Sequence, residues 1–216
     1  MLLIDNRKKS AATLEKLYPN AKIVDVTSKA TDFYVQFSPF YPHGDIPIPF
    51  SDGKTAASVE GIWQGLKVFE TADVDINSFE NKTMRNIKRT VRTFGKPLGH
   101  RKGTNGTELL GYIEARTLIY LPAYLWVLEN KLQHLVAHLR KAAKTQDIVL
   151  LDYETNCDVL NPAKPLSHAF LVKAYLENNF PKDLENNFPK DLAGFEDLPS
   201  LKILKSEKTD TQLLLF

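Results

Sequence analysis

The sequence predicts an α+β domain, helix-dominated and with a few short strands. Three observations carry that prediction. Apolar residues recur at helical spacing in several segments, a continuous apolar run at Ile148 to Tyr153 suits a buried strand, and the composition is that of one globular domain. The chain has 216 residues, 43% hydrophobic and 25% charged, which excludes disordered and fibrous classes. At this length about 70% of the extended surface is buried on folding, enough for a core without staples. The single cysteine, Cys157, rules out an internal disulfide framework and a Cys-based zinc site, and it suits a reducing compartment. The apolar stretch before Asp5 is too short for a signal peptide. The longest apolar run, Leu118 to Leu128, contains Pro122 and is about half the ~20 residues a membrane span needs. A soluble cytoplasmic protein with no membrane partner is expected.

The elements follow in order. Leu2 to Ile4 is a short apolar run, Ser10 is placed to cap a helix through Leu17, and Ala21 to Thr27 is strand-like, with Tyr18-Pro19-Asn20 as the turn between them. These form a small β-α-β-like unit. Phe33 to Phe50 is rich in aromatics and holds Pro39, Pro42, Pro47 and Pro49, which forbid a helix. A helix is expected from Thr55 to Phe69, because Val59, Ile62, Trp63, Leu66 and Phe69 recur at its period. Glu60, Gln64 and Lys67 lie at i, i+4 and i+7 and form one polar stripe beside Trp63. A second helix is expected in the basic segment, ending near Gly95, followed by a flexible loop marked by Gly95, Pro97, Gly99 and Gly103. Gly106 to Leu118 reads as helical. A long helix then starts at Pro122 and runs toward Ala143. After the Ile148 strand, Leu166 to Leu176 is an amphipathic helix. In the tail, ENNFPKDL occurs at Glu177 to Leu184 and again at Glu185 to Leu192. Two copies of eight residues cannot stack into a core, so this is a duplication in a tolerant surface segment. The chain ends on an apolar stretch, Leu213 to Phe216.

The formal net charge of +2 hides an uneven distribution. Lys82, Arg85, Lys88, Arg89, Arg92, Lys96, Arg101 and Lys102, with His100, fall in a stretch without one acid, while Glu70 to Glu80 carries only acids. Such a run attracts phosphates, of a nucleotide or of nucleic acid, or else is a solvated face. Nucleic acid is the weaker reading, since charge elsewhere offsets the run and no recognition motif accompanies it.

Among chemical groups, His134 and His138 have metal-ligand spacing on the long helix, but Leu132, Leu135, Val136 and Leu139 define the buried face and turn both histidines to solvent. No metal site is expected. Cys157 has no pointer to a base, and no nucleophile elbow or phosphate-binding loop is present. Carboxylates are stronger candidates. Glu60 sits in an otherwise apolar helix, where a buried charge costs several kcal/mol unless paired, so it either faces solvent or is used. On the residues alone the solvated stripe is the ordinary outcome. A second acidic cluster, Asp152, Glu154 and Asp158, follows the Ile148 strand, where loops often place functional groups.

The stretch Phe37 to Lys67, FSPFYPHGDIPIPFSDGKTAASVEGIWQGLK, resembles the NADAR (YbiA-like) superfamily of N-glycosidases. That family has an F-S-x-F element, a Pro-Ile, a Gly-Lys turn and a helix reading S-E-x-x-x-Q-x-x-K, and Glu60, Gln64 and Lys67 match its polar positions. Gly99-His100-Arg101 looks like the family's Gly-Arg loop, Tyr120 stands where the family has Trp, and Asn156-Cys157-Asp158 is the nearest match to its late Asn-Asp motif. Val59 replaces a usual Ser and Gly61 an expected His. The likeness covers roughly residues 33–176, leaving residues 1–32 as an N-terminal extension and 177–216 as a tail.

The resemblance implies a helix-dominated YbiA-like fold and hydrolysis of a ribose C1–N bond in an ADP-ribosyl or ribose-phosphate conjugate. It implies Glu60 and Asp158 as catalytic residues. Phe37, Trp63, Gln64, Lys67, Arg85, Arg89, His100, Arg101, Tyr120 and Asn156 are the implied substrate contacts. No metal or redox cofactor is implied. The alternative is a non-catalytic protein that binds or sequesters an ADP-ribose-type nucleotide.

Overall fold

The computed structural model describes residues 1–181. The second ENNFPKDL copy and the Leu213 to Phe216 end lie outside the described residues. The protein is an α+β domain built of short strands and mostly short helices.

The chain opens with β1 (Leu2–Asn6), α1 (Ala11–Leu17) and β2 (Lys22–Asp25). Ser10 caps α1 by accepting the Thr13 N–H, as its sequence position predicts. β3 (Ile46–Pro47) and β4 (Thr55–Ala56) pair antiparallel, and α2 (Val59–Gly65) is followed at once by β5 (Lys67–Phe69). Next come α3 (Ile76–Glu80), α4 (Val91–Phe94), β6 (Pro97–Arg101) and β7 (Leu109–Leu110). α5 (Tyr112–Ala115) continues through a π-helical turn, Arg116–Tyr120, into α6 (Leu121–Asn130). α7 (Gln133–Ala142), β8 (Ile148–Asp152) and α8 (His168–Leu176) complete the described chain.

β8 lies between β1 and β2 and runs parallel to both, with Ile4 and Val24 opposite Leu150. The N-terminal strands therefore share a sheet with a strand that follows them by more than a hundred residues. Every residue of β8 is buried, as a central parallel strand covered on both faces requires. Alternation divides its side chains. Val149 and Leu151 pack with Leu14 of α1, whereas Ile148 and Leu150 join the main core with Leu171 and Val172 of α8. By the same alternation Asp152 falls on the main-core face, and that places it in the site.

Four expected elements differ. The helix predicted over 55–69 is confined to Val59–Gly65. Ser58 caps it from Gly61 N–H, and the chain after Leu66 extends so that β5 can pair with β6. The segment expected as a flexible loop is that strand β6, and the preceding helix is the single turn α4. The predicted helix over 106–118 is a short α5 plus the π turn. The long helix expected from Pro122 breaks after Asn130, where Leu132 turns fully into the core and Gln133 donates to the Leu128 carbonyl. Pro122 does occupy the first turn of α6. His134 and His138 are exposed, as expected. Among the described residues no helix is long and apolar enough to cross a membrane.

Candidate active site

The carboxyl ends of β2 and β8 open onto a cavity of about 410 Å³. Open parallel sheets favour ligand sites there, because the loops leaving the strand ends diverge. Thr27 and Ser28 follow β2, and Asp152 to Glu154 end β8; α2 faces them with Glu60, Trp63 and Gln64. Lys67 enters from β5, and the π turn brings both Arg116 and Tyr120 to the wall. A π turn shifts the register of side chains relative to a regular helix, and such turns are frequent at functional sites.

The expected polar stripe, shared between α2 and the start of β5, is buried rather than solvated: Glu60, Gln64 and Lys67 are 8, 5 and 2% exposed. The side the stripe faces is the cavity. Gln64 Nε2 donates to Glu60 Oε1 at 2.9 Å, and Gln64 Oε1 accepts the Arg89 main-chain N–H at 3.0 Å. Those two contacts fix the amide's orientation and leave Glu60 Oε2 without a protein hydrogen bond among the described residues. Burial pushes the Glu60 carboxyl up, opposed by the Gln64 hydrogen bond and the charges of Lys88, Lys67 and His168. Burial lowers the Lys67 ammonium to about 8, with Glu60 opposing and Arg89 and Lys88 assisting. No hydrogen bond holds Lys67 Nζ among the described residues; it lies 5.4 Å from the Phe69 ring centre.

Opposite stands an ion pair. His168 Nδ1 is 3.0 Å from Asp152 Oδ2, and its Nε2 is 2.8 Å from the Val26 carbonyl. Both neighbours are acceptors, so both ring nitrogens must carry protons and the ring is an imidazolium. Burial alone would lower the His168 pKa, but the Asp152 charge and the two hydrogen bonds outweigh it and raise it. Burial likewise pushes the Asp152 carboxyl up, and the His168 charge with hydrogen bonds from His168, Ser167 and the Ala169 N–H brings it below the usual range.

Aromatic rings form the remaining wall. Trp63 meets Tyr120 and Tyr112 edge-on, each at 5.8 Å between centroids. Burial, with the charges of Glu60 and Asp152, raises the Tyr120 phenol well above its usual value, so it stays protonated. Two guanidinium groups on the wall are already engaged. Arg89 donates to the carbonyls of Gln64, Lys67 and Asp73, and Arg116 to those of Val159, Asn161 and Lys164. Lys88 is exposed, with its ammonium 5.8 Å from the Phe40 ring centre.

The cavity thus gathers Glu60, Trp63, Gln64, Lys67, Arg89 and Tyr120 of the expected site residues. The others lie elsewhere, each for an identifiable reason. Phe37 is fully buried in the core, where its carbonyl accepts the Tyr124 hydroxyl. Arg85 is exposed on the loop before Lys88. Arg101 clamps the Asp73 carboxylate with two nitrogens, at 2.9 and 2.6 Å. His100, expected in a surface loop, is 2% exposed on β6 behind Trp63, with ring centroids 3.8 Å apart. Among the described residues neither His100 nitrogen has a hydrogen-bond partner. Burial, and then the Lys67 charge, hold its pKa well below the usual value. Asn156 and Asp158 are tied to each other by a local turn, Asn156 Oδ1 accepting the Asp158 N–H at 3.0 Å. The acid that reaches the cavity from this cluster is Asp152, with Glu154 beside it. His168 and Arg116 carried no sequence signal, because their roles depend on elements far apart in the chain.

The profile of a described family, "Family of unknown function (DUF6939)", matches residues 6–172. The chain belongs to the DUF6939 family. The span shared with DUF6939 takes in every cavity residue named above, from Thr27 to His168. No curated protein and no solved structure matches the chain.

Proposed function

We propose that this DUF6939 protein is an N-glycosidase-type hydrolase that cleaves a ribose C1–N bond in an ADP-ribosyl or ribose-phosphate conjugate. The observation that carries the reading is Glu60: a buried carboxylate on a cavity wall, oriented by Gln64 through one oxygen, with its other oxygen free of hydrogen bonds among the described residues. The NADAR resemblance of Phe37 to Lys67 points to the same residue.

Breaking a ribosyl C1–N bond builds positive charge on the sugar. Ionised Glu60 stabilises that charge and takes a proton from the attacking water. The water oxygen bonds to C1, the C1–N pair leaves with the nitrogen, and the nitrogen needs a proton. Lys67, with a pKa of about 8, is matched to supply it near neutral pH. Trp63, Tyr112 and Tyr120 offer faces and edges for a planar base. Lys88 is the wall cation left for a phosphate. The Asp152–His168 pair is a fixed dipole across the cavity.

The test is Glu60→Gln. Release of free base from ribosylated aminopyrimidine or ADP-ribosyl compounds should fall by about 10²–10⁴-fold, the span typical of a lost acid–base group, while ligand binding persists. Unchanged turnover removes Glu60 from the chemistry.

One observation favours a second reading, a binder that does not turn its ligand over. Asp158 lies outside the cavity, and Asp152 is committed to three hydrogen bonds and the ion pair with His168, so the second carboxylate is poorly placed to shuttle protons. Mass spectrometry after incubation and denaturation separates the readings: intact ligand supports binding, free base supports hydrolysis.

A further inference from the structure

Three acids line the cavity, Glu60, Asp152 and Glu154, and their oxygens are not equally available to a ligand. Glu60 holds the Gln64 amide with Oε1, and its Oε2 serves the reacting carbon in the proposed hydrolysis. Asp152 Oδ1 accepts the Tyr153 N–H. Its Oδ2 accepts the Ser167 hydroxyl and the Ala169 N–H and pairs with His168. Glu154 lies two residues further along, half-buried. Among the described residues its carboxylate takes part in no hydrogen bond and no ion pair.

The neighbouring polar side chains are committed. Thr27 Oγ1 donates to Asp25 Oδ1 and accepts the Lys29 N–H. Ser38 Oγ accepts the Phe40 N–H, and Gln64 is held at both its oxygen and its nitrogen. Glu154 is therefore the wall acid with both oxygens open. Its place adds a second reason. It follows the carboxyl end of β8, the central strand of the parallel sheet. An acid near the strand ends of a parallel sheet suits a ribose, because a carboxylate only accepts and a vicinal diol offers two adjacent O–H donors.

We infer that Glu154 is a specificity-determining residue: its carboxylate accepts the 2- and 3-hydroxyls of the ligand's ribose, so that the cavity selects ribosyl over 2-deoxyribosyl compounds. The inference rests on the ribosyl reading above but not on turnover, since a binder that leaves its ligand intact needs the same contact. It also orients the ligand. A carboxylate repels phosphate, so the 5-phosphate points away from Glu154 and toward Lys88, with C1 left for Glu60.

The experiment is calorimetric titration of the full chain with ribose 5-phosphate and with 2-deoxyribose 5-phosphate. Wild type should bind the ribose compound about 10–100-fold more tightly, the fold-change that one charge-assisted hydrogen bond is worth. In Glu154→Ala the ribose compound should lose affinity until the two constants agree within about threefold. Thr155→Ala, at an exposed neighbour outside the cavity, should keep the wild-type preference. A preference that survives Glu154→Ala, or a wild type that binds both sugars equally, overturns the inference and leaves the ribosyl reading standing. A wild type that binds neither sugar phosphate overturns both.

Discussion

Asp152 and His168 form a buried ion pair, 3.0 Å between Oδ2 and Nδ1, whose imidazolium also donates to the Val26 carbonyl at 2.8 Å. One ring thereby joins the end of β8, the end of β2 and the start of α8 at the mouth of the cavity. Removing the ring while keeping the acid leaves an unpaired charge in the interior. His168→Leu should therefore destabilise the fold by about 3–5 kcal/mol, measured by chemical denaturation.

The pair also sets a pH window. The raised His168 pKa contributes stability that is complete below the ordinary histidine pKa and is lost as pH rises through the folded value. The lowered Asp152 pKa contributes stability present above the ordinary carboxyl pKa and lost as pH falls through the folded value. The wild-type advantage over an Asp152→Asn, His168→Gln double variant should be greatest between those two ordinary values. Denaturation midpoints across pH check this, and an advantage that kept growing into alkaline pH would contradict it.

Lys67 governs the alkaline side of the proposed reaction. Its ammonium must be protonated to serve the leaving nitrogen, so kcat/KM should fall as pH rises past about 8. Lys67→Arg should remove that limb, because a guanidinium does not titrate there. A limb that persists unchanged in the variant would assign it to another group.

Gln64→Glu sets a second carboxylate against Glu60 Oε1 and takes away the amide donor. Like charges at that distance raise the pKa of the pair, so the acidic limb of kcat/KM should move to higher pH. The Arg89 N–H keeps an acceptor, and a thermal midpoint close to wild type would separate the electrostatic effect from unfolding.

Small residues in α2 are steric requirements. A Cβ on Gly61 would lie 2.6 Å from the Ser78 carbonyl oxygen, and one on Gly65 would overlap the Phe79 ring. Gly65→Ala should cost about 1–3 kcal/mol through overpacking of the α2–α3 contact, while Asp158→Asn, in a solvated turn, should leave both stability and turnover unchanged.

Much of the scaffold was legible in the sequence. Ser10 reads as a cap, IVLLDY as a buried strand, and Leu135, Val136 and Leu139 as the inner face of α7, because each signal is local and repeated. Lys67 and His100 were harder. β5 is three residues long, too short for a period to show, and the same residues continue the helical spacing of α2. The polar stripe Glu60, Gln64 and Lys67 was visible, but a helix does not reveal whether it faces water or a cavity walled by other elements. Asp152 and Asp158 were not distinguishable in one acidic cluster. Strand alternation turns Asp152 inward only once β8 is covered on both sides, and His168 selects it from sixteen residues away.

The order of strands bears on how the chain assembles. β1 and β2 leave the ribosome with the first twenty-five residues, yet the strand that joins them is synthesised only near residue 150. Until then the two nascent strands have no native neighbour, and the loop that must close between them and β8 spans most of the protein. Contacts so distant along the chain slow folding. The unpaired edges left waiting are where a growing polypeptide would need shelter from its neighbours.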